Sequence, residues 1–317
     1  MFDNHPLRPQ YSPWTQLSIL LMLTGVGFLV GSFVSLGIAA SYLHVSFEKL
    51  PDAFEHATNA NLSRLLQFIS TFFFMALPAF LFARINNRKA FEYIGFNSAL
   101  SGKQVFLIVG IVFLCLIISG ILSQVNAMIP LSKQAEQYFK SLEDNYNKQM
   151  LAIANMKTAM DYIISLIMIA LLPAIFEEML FRGALQPIMI NLSKTSFMGI
   201  LITSILFSAI HLSYYGFLPR VALGLIIGYI FYFSKNLWLA SATHFFYNAF
   251  GVTQIYALSK RGLLTQEAMK DDTFPLYFAL LAAGALYIIF VFFKKECGVV
   301  IAAFASHNKN NGEENFK

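Results

Sequence analysis

Long apolar runs alternate with short polar breaks along almost the whole chain. Runs long enough to cross a bilayer recur at about 17–42, 62–84, 104–128, 158–190, 197–213, 218–234, 237–258 and 274–293. About 20 apolar residues in a helix span the hydrocarbon core. The pattern therefore predicts an all-α, polytopic integral membrane protein of about eight transmembrane helices. The fifth and sixth runs are short and call for tilt or local thinning of the bilayer. The first run is too long for a signal-peptide core and lacks a clear small-residue cleavage site, so it is read as the first transmembrane helix. No inverted internal repeat marks the chain as a two-fold transporter.

One connection has a different period. Residues 131–151 (LSKQAEQYFKSLEDNYNKQML) place Leu131, Ala135, Tyr138, Phe139, Leu142, Tyr146 and Met150 at helical spacing with charges between them. This predicts an amphipathic helix lying in the membrane interface. It serves either as a plain surface linker or as a guard over the path to a site. The chain then divides into residues 1–157, the first helices with this interfacial segment, and 158–258, a core carrying most polar intramembrane positions. A last helix, 259–305, and a polar tail, 306–317, complete it. The tail (SHNKNNGEENFK) is expected to be disordered.

Composition agrees with the periodicity. The chain is 57% hydrophobic and 12% charged, against about 25% charged in soluble domains. The net charge of +5 is spread over loops, with no basic run that would suggest nucleic acid as a partner. Cys115 and Cys297 lie in separate apolar runs with no metal or redox spacing and read as buried thiols. The short basic loop at 84–103 favours both termini on the cytoplasmic side, and in a bacterium the membrane is expected to be the plasma (inner) one.

Against this background the polar positions within apolar runs carry the chemistry. Glu177, Glu178 and Arg182 interrupt SLIMIALLPAIFEEMLFRGALQPIMI, between Pro173 and Pro187, which mark expected kinks. His211 interrupts LFSAIHLS, and His244 and Asn248 interrupt ATHFFYNAF. A charged side chain near the bilayer centre costs about 2.5–3.5 kcal/mol on insertion scales, so such residues need partners or a function. Glu178 and Arg182 are four apart and share a helix face, where they can pair. Glu177 is rotated by about 100° and points elsewhere. This makes Glu178 a structural carboxylate and Glu177 a chemical one.

Depth tests whether these residues can meet. Glu177 lies about 13 residues before the NLSKTS break and His211 about 15 after it, each roughly 20 Å from the turn at a rise of about 1.5 Å per residue. Beyond the SKN break, His244 lies roughly 12 Å in and Asn248 roughly 18 Å in. The four can line one intramembrane polar cavity. A carboxylate and a histidine can hold and deprotonate a water, while a second histidine and an amide donate hydrogen bonds to an oxyanion. Glu177, His211 and His244 equally match the ligand set of a catalytic zinc or other divalent metal, although the HExxH spacing is absent. Singly, each residue could be no more than interhelical glue.

The motifs also resemble a known family. Glu177-Glu178-x-x-x-Arg182 within FEEMLFRGALQ resembles the first motif of the CAAX protease and bacteriocin-processing (CPBP) family of intramembrane proteases, related to the Ras-converting enzyme. Phe207-x-x-x-His211 resembles its second motif and His244-x-x-x-Asn248 its third. The resemblance covers about residues 160–255, and the first 150 carry no comparable signature. It implies an eight-helix membrane endopeptidase in which Glu177 and His211 activate water, His244 and Asn248 stabilise the oxyanion, and Glu178 and Arg182 hold the architecture. The family is labelled metalloprotease, and a metal-free glutamate mechanism is also proposed for it; the metal-free form, with no cofactor, is favoured here. The implied partners are the lipid bilayer and a peptide or protein substrate, lipid-anchored or membrane-inserted. A non-catalytic scaffold or immunity protein keeping the same fold is the alternative, and a proton-coupled transporter a third reading.

Overall fold

The computed structural model describes residues 11–50, 53, 60–153, 156, 158–263 and 275–314. Among them the elements are helical throughout. The long helices are α1 (Pro13–Leu43), α2 (Ala60–Asn86), α3 (Gly102–Ala127), α4 (Lys133–Ile153) and α5 (Ala159–Ser193). They continue with α6 (Ser196–Ala209), α7 (Phe217–Ser234), α8 (Leu237–Lys260) and α9 (Tyr277–Glu314).

Eight of these helices follow the eight apolar runs, but only six are long and apolar enough to cross a membrane among the described residues: α1, α2, α3, α5, α7 and the Tyr277–Ser306 part of α9. The chain is a multi-pass integral membrane protein with about six such spans. The two shortfalls have physical causes. α6 has 14 residues and ends at Ala209, four short of the expected 213, so at about 1.5 Å per residue it reaches only some 20 Å. α8 is long enough, but Thr243, His244, Asn248, Thr253 and Gln254 dilute its apolar surface. α9 also continues as helix past Ser306 to Glu314, where an unstructured tail is expected; no proline interrupts it.

Among the described residues three wide, π-helical turns occur, at Phe72–Ala76, Leu166–Leu171 and Met179–Leu185. Each ends two residues before a proline: Pro78, Pro173 and Pro187. Proline has no N–H to offer the preceding turn and its ring presses on the carbonyl four residues back, so the backbone widens there. The prolines that predict kinks thus stand just after widened turns. In α5 the last wide turn buries all of its residues, Met179 to Leu185, which places this stretch inside the bundle.

α5 contacts α1, α2, α6 and α8; α7 contacts α3, α6, α8 and α9. Two seams have backbones in close approach through glycines four apart. Gly27 and Gly31 of α1 meet Phe73 of α2, and Gly224 and Gly228 of α7 meet Ser204 and Ile200 of α6. A Cβ at position 228 would lie 2.6 Å from Ile200 Cγ2 and 3.0 Å from Gln186 Oε1. Gly228→Ala is therefore expected to destabilise the protein by about 1–3 kcal/mol through overpacking. Gly25→Ala, with nothing within 4 Å, should leave it unchanged or slightly more stable. The apparent Tm of each variant in detergent checks both.

Candidate active site

Glu177 and Glu178 close the regular segment Leu172–Glu178 of α5, and Arg182 sits in the wide turn that follows. Glu178 and Arg182 are fully buried, and Arg182 Nη1 donates to Glu178 Oε1 at 3.0 Å. Two further contacts hold the guanidinium. Its Nη2 donates to the Gly224 carbonyl at 3.2 Å, and its Cζ lies 4.8 Å from the centre of the Phe207 ring. One turn on, Gln186 Nε2 donates to the Gly228 carbonyl at 3.0 Å. The glycine seam of α7 therefore has a second use. Without side chains at 224 and 228, its carbonyls stand open to Arg182 and Gln186, and α5 is bonded to α7 in register.

His244 enters from α8. Its Nδ1 lies 2.7 Å from Glu178 Oε1 and its Nε2 lies 3.8 Å from Glu177 Oε2. A carboxylate paired with Arg182 is ionised and can only accept, so Nδ1 carries a proton. The gap at Nε2 is too long for a direct hydrogen bond. The expectation that Glu177 points away from Glu178 is thus modified: the two carboxylates face the two nitrogens of one imidazole. Glu177 makes no hydrogen bond through its buried Oε2 among the described residues, and the second oxygen of Glu178 is likewise unmet.

His211 lies beyond the end of α6, in a tight turn where the His211 N–H bonds the Ser208 carbonyl and the Leu212 N–H bonds that of Ala209. Its Nδ1 is 2.8 Å from the Phe207 carbonyl. A carbonyl only accepts, so Nδ1–H is the donor and the Nε2 lone pair is the basic position. Glu177, Arg220 and His244 all lie within electrostatic reach of the ring. The Phe207 ring joins the two histidines edge to face, 5.0 Å from His211 and 5.7 Å from His244 between centroids. Asn248 is half-buried one turn beyond His244.

Several supporting residues are absent from the sequence reading. The contacts of Phe207 with Arg182 and both histidines, the role of Gln186, and the Gly224–Gly228 seam all emerge only here. The GLIIG pattern was a usable signal for the seam. The metal alternative can also be tested on geometry. Among the described residues no three His, Cys, Asp or Glu side chains converge to hold an ion, so the set Glu177, His211 and His244 is not arranged as a ligand cage.

Fold and site together define a class: an all-helical, multi-pass membrane protein with a buried ion cluster of two glutamates, an arginine and a histidine at its centre. Residues 159–250 match a family model described as Rce1-like, type II CAAX prenyl endopeptidase Rce1-like. The match covers part of the chain and includes Glu177, Glu178, Arg182, His211, His244 and Asn248. No curated protein and no solved structure matches the chain.

Proposed function

We propose that the chain is an intramembrane endopeptidase that hydrolyses peptide bonds of membrane-associated substrates. The observation that carries this reading is the way the two histidines are held. Each is engaged through Nδ1, by Glu178 or by the Phe207 carbonyl, which leaves its Nε2 for the reaction. Glu177 and His211 take the proton of a water as it attacks the carbonyl carbon. The oxyanion that forms is met by the Asn248 amide and by His244, whose Nε2 donates when the ring is charged. Collapse of the intermediate breaks the C–N bond, and the proton held by Glu177 passes to the leaving amine. Glu178 orients His244, and Arg182 holds Glu178.

A substrate with an apolar anchor suits this setting. Half-buried Phe68, Phe72 and Phe176 cluster beside Glu177, with ring centroids about 6 Å apart in each pair. The test is incubation of purified protein with a library of lipid-anchored and membrane-inserted peptides, with products mapped by mass spectrometry. Cleaved products that vanish in Glu177→Gln support the peptidase reading. Substrate flux across vesicles without cleavage would replace it with transport. Partner binding retained in a Glu177→Gln/His211→Ala double variant, with no cleavage by wild type, would replace it with scaffolding.

A further inference from the structure

The turn that carries His211 is held by residues outside the matched segment. Leu212, directly after His211, has φ +51 and is largely exposed, a left-handed conformation that a Cβ-bearing residue avoids unless its surroundings impose it. Two sets of contacts impose it. From α3, the buried Asn126 side chain spans the turn: its Nδ2 donates to the Tyr214 carbonyl at 2.9 Å and its Oδ1 accepts from the Leu218 N–H at 3.2 Å. From the amphipathic helix α4, Glu143 Oε2 accepts from Ser213 Oγ at 2.8 Å, and the Phe139 ring stacks on Tyr214 with centroids 4.8 Å apart. The hydroxyl of Ser208 closes the turn on the Phe217 carbonyl at 2.8 Å.

The geometry points to Asn126 and Glu143 as positioning residues for His211, holding the 212–217 turn in the strained form that fixes where the imidazole stands. The inference rests on the peptidase reading for its kinetic consequence, not for its structural one. It makes α4 more than a linker, because the face of that helix that carries Phe139 and Glu143 is one jaw of the clamp. Asn126 is chemically suited to the other jaw, because one amide supplies both the donor and the acceptor that the two ends of the turn require. Neither residue touches the reacting atoms.

The clamp predicts a kcat effect with little change in KM, and rescue by glycine. Asn126→Ala should lower kcat by at least ten-fold with KM within two-fold, and Glu143→Ala by three-fold or more. Glu143 is half-buried on the outer helix, so its variant keeps the test valid if Asn126→Ala fails to fold. Leu212→Gly added to either variant should restore most of the loss, because glycine adopts positive φ without strain; a residue needed only for packing would not be rescued from position 212. Hydrogen exchange of the 210–218 amides, read by mass spectrometry in detergent, should speed up at least ten-fold in Asn126→Ala and less in Glu143→Ala. A kcat within two-fold of wild type in both single variants overturns the inference, as does a loss that Leu212→Gly leaves untouched. Inactivity of the wild type on every substrate overturns the peptidase reading instead. The clamp then stands or falls on exchange alone, and exchange unchanged in both variants overturns it.

Discussion

Glu177→Gln is expected to lower peptide cleavage by about 10²–10⁴-fold, the range that a positioned general base supplies, while leaving the fold intact. The second half of that expectation is the informative one. Glu177 is buried and its Oε2 meets no donor among the described residues, so an amide in its place loses no hydrogen bond there. It also removes from a low-dielectric interior a charge whose buried oxygen meets no hydrogen-bond donor among the described residues, and such a charge is costly to keep there. Glu178→Gln should behave in the opposite sense. It uncouples Arg182 and His244 together, and a buried cation left without its carboxylate costs several kcal/mol. Measured side by side, cleavage rate and apparent Tm separate two adjacent glutamates: activity falls with Tm held at 177, and Tm falls first at 178. A Glu177→Gln protein that cleaves at the wild-type rate would end the role assigned to that residue.

Arg182→Met should cost about 3–5 kcal/mol, the range for breaking a buried ion pair from one side. Three interactions go at once: the Glu178 pair, the Gly224 carbonyl bond and the packing over Phe207. Glu178 remains buried in the bundle with the His244 ring as its one partner among the described residues. The double variant Glu178→Gln/Arg182→Met should recover a large part of the lost stability, because a neutral pair of similar volume leaves no buried charge. It should not recover cleavage, since His244 is left with a neutral acceptor in place of a carboxylate. A thermal-unfolding cycle over the four proteins measures the coupling. Coupling below about 0.5 kcal/mol, the additivity limit for independent sites, would mean that the pair does not act as one unit.

The residues of this site are legible in the sequence because insertion into lipid makes them conspicuous. Glu177, Glu178, Arg182, His211, His244 and Asn248 break otherwise apolar runs, and a rise of about 1.5 Å per residue is enough to place them at similar depth. The Glu178–Arg182 pair follows from four-residue spacing alone and is found at 3.0 Å. The same rule of about 100° per residue fails to foresee His244 between the two carboxylates, because that contact depends on how α8 is rotated against α5. It also treats α5 as a regular helix, whereas the turns ahead of Pro173 and Pro187 are widened, which changes the direction of every side chain beyond them. The count of spans shifts for a related reason: α8 falls short of a spanning hydropathy because it carries the site.

What the sequence determined by itself is local: which stretches are helical and apolar, where prolines disturb them, and which polar groups the bilayer would not hold without a purpose. Those properties depend on neighbours within a few residues and on the solvent. The tertiary structure decided the rest. It set which nitrogen of each histidine is occupied, and it opened the Gly224 and Gly228 carbonyls to Arg182 and Gln186. It also brought Asn126 and Glu143 to the turn after His211. Each of these is a contact between segments tens of residues apart, fixed by the rotation and close approach of packed helices, and a one-dimensional period carries no information about either.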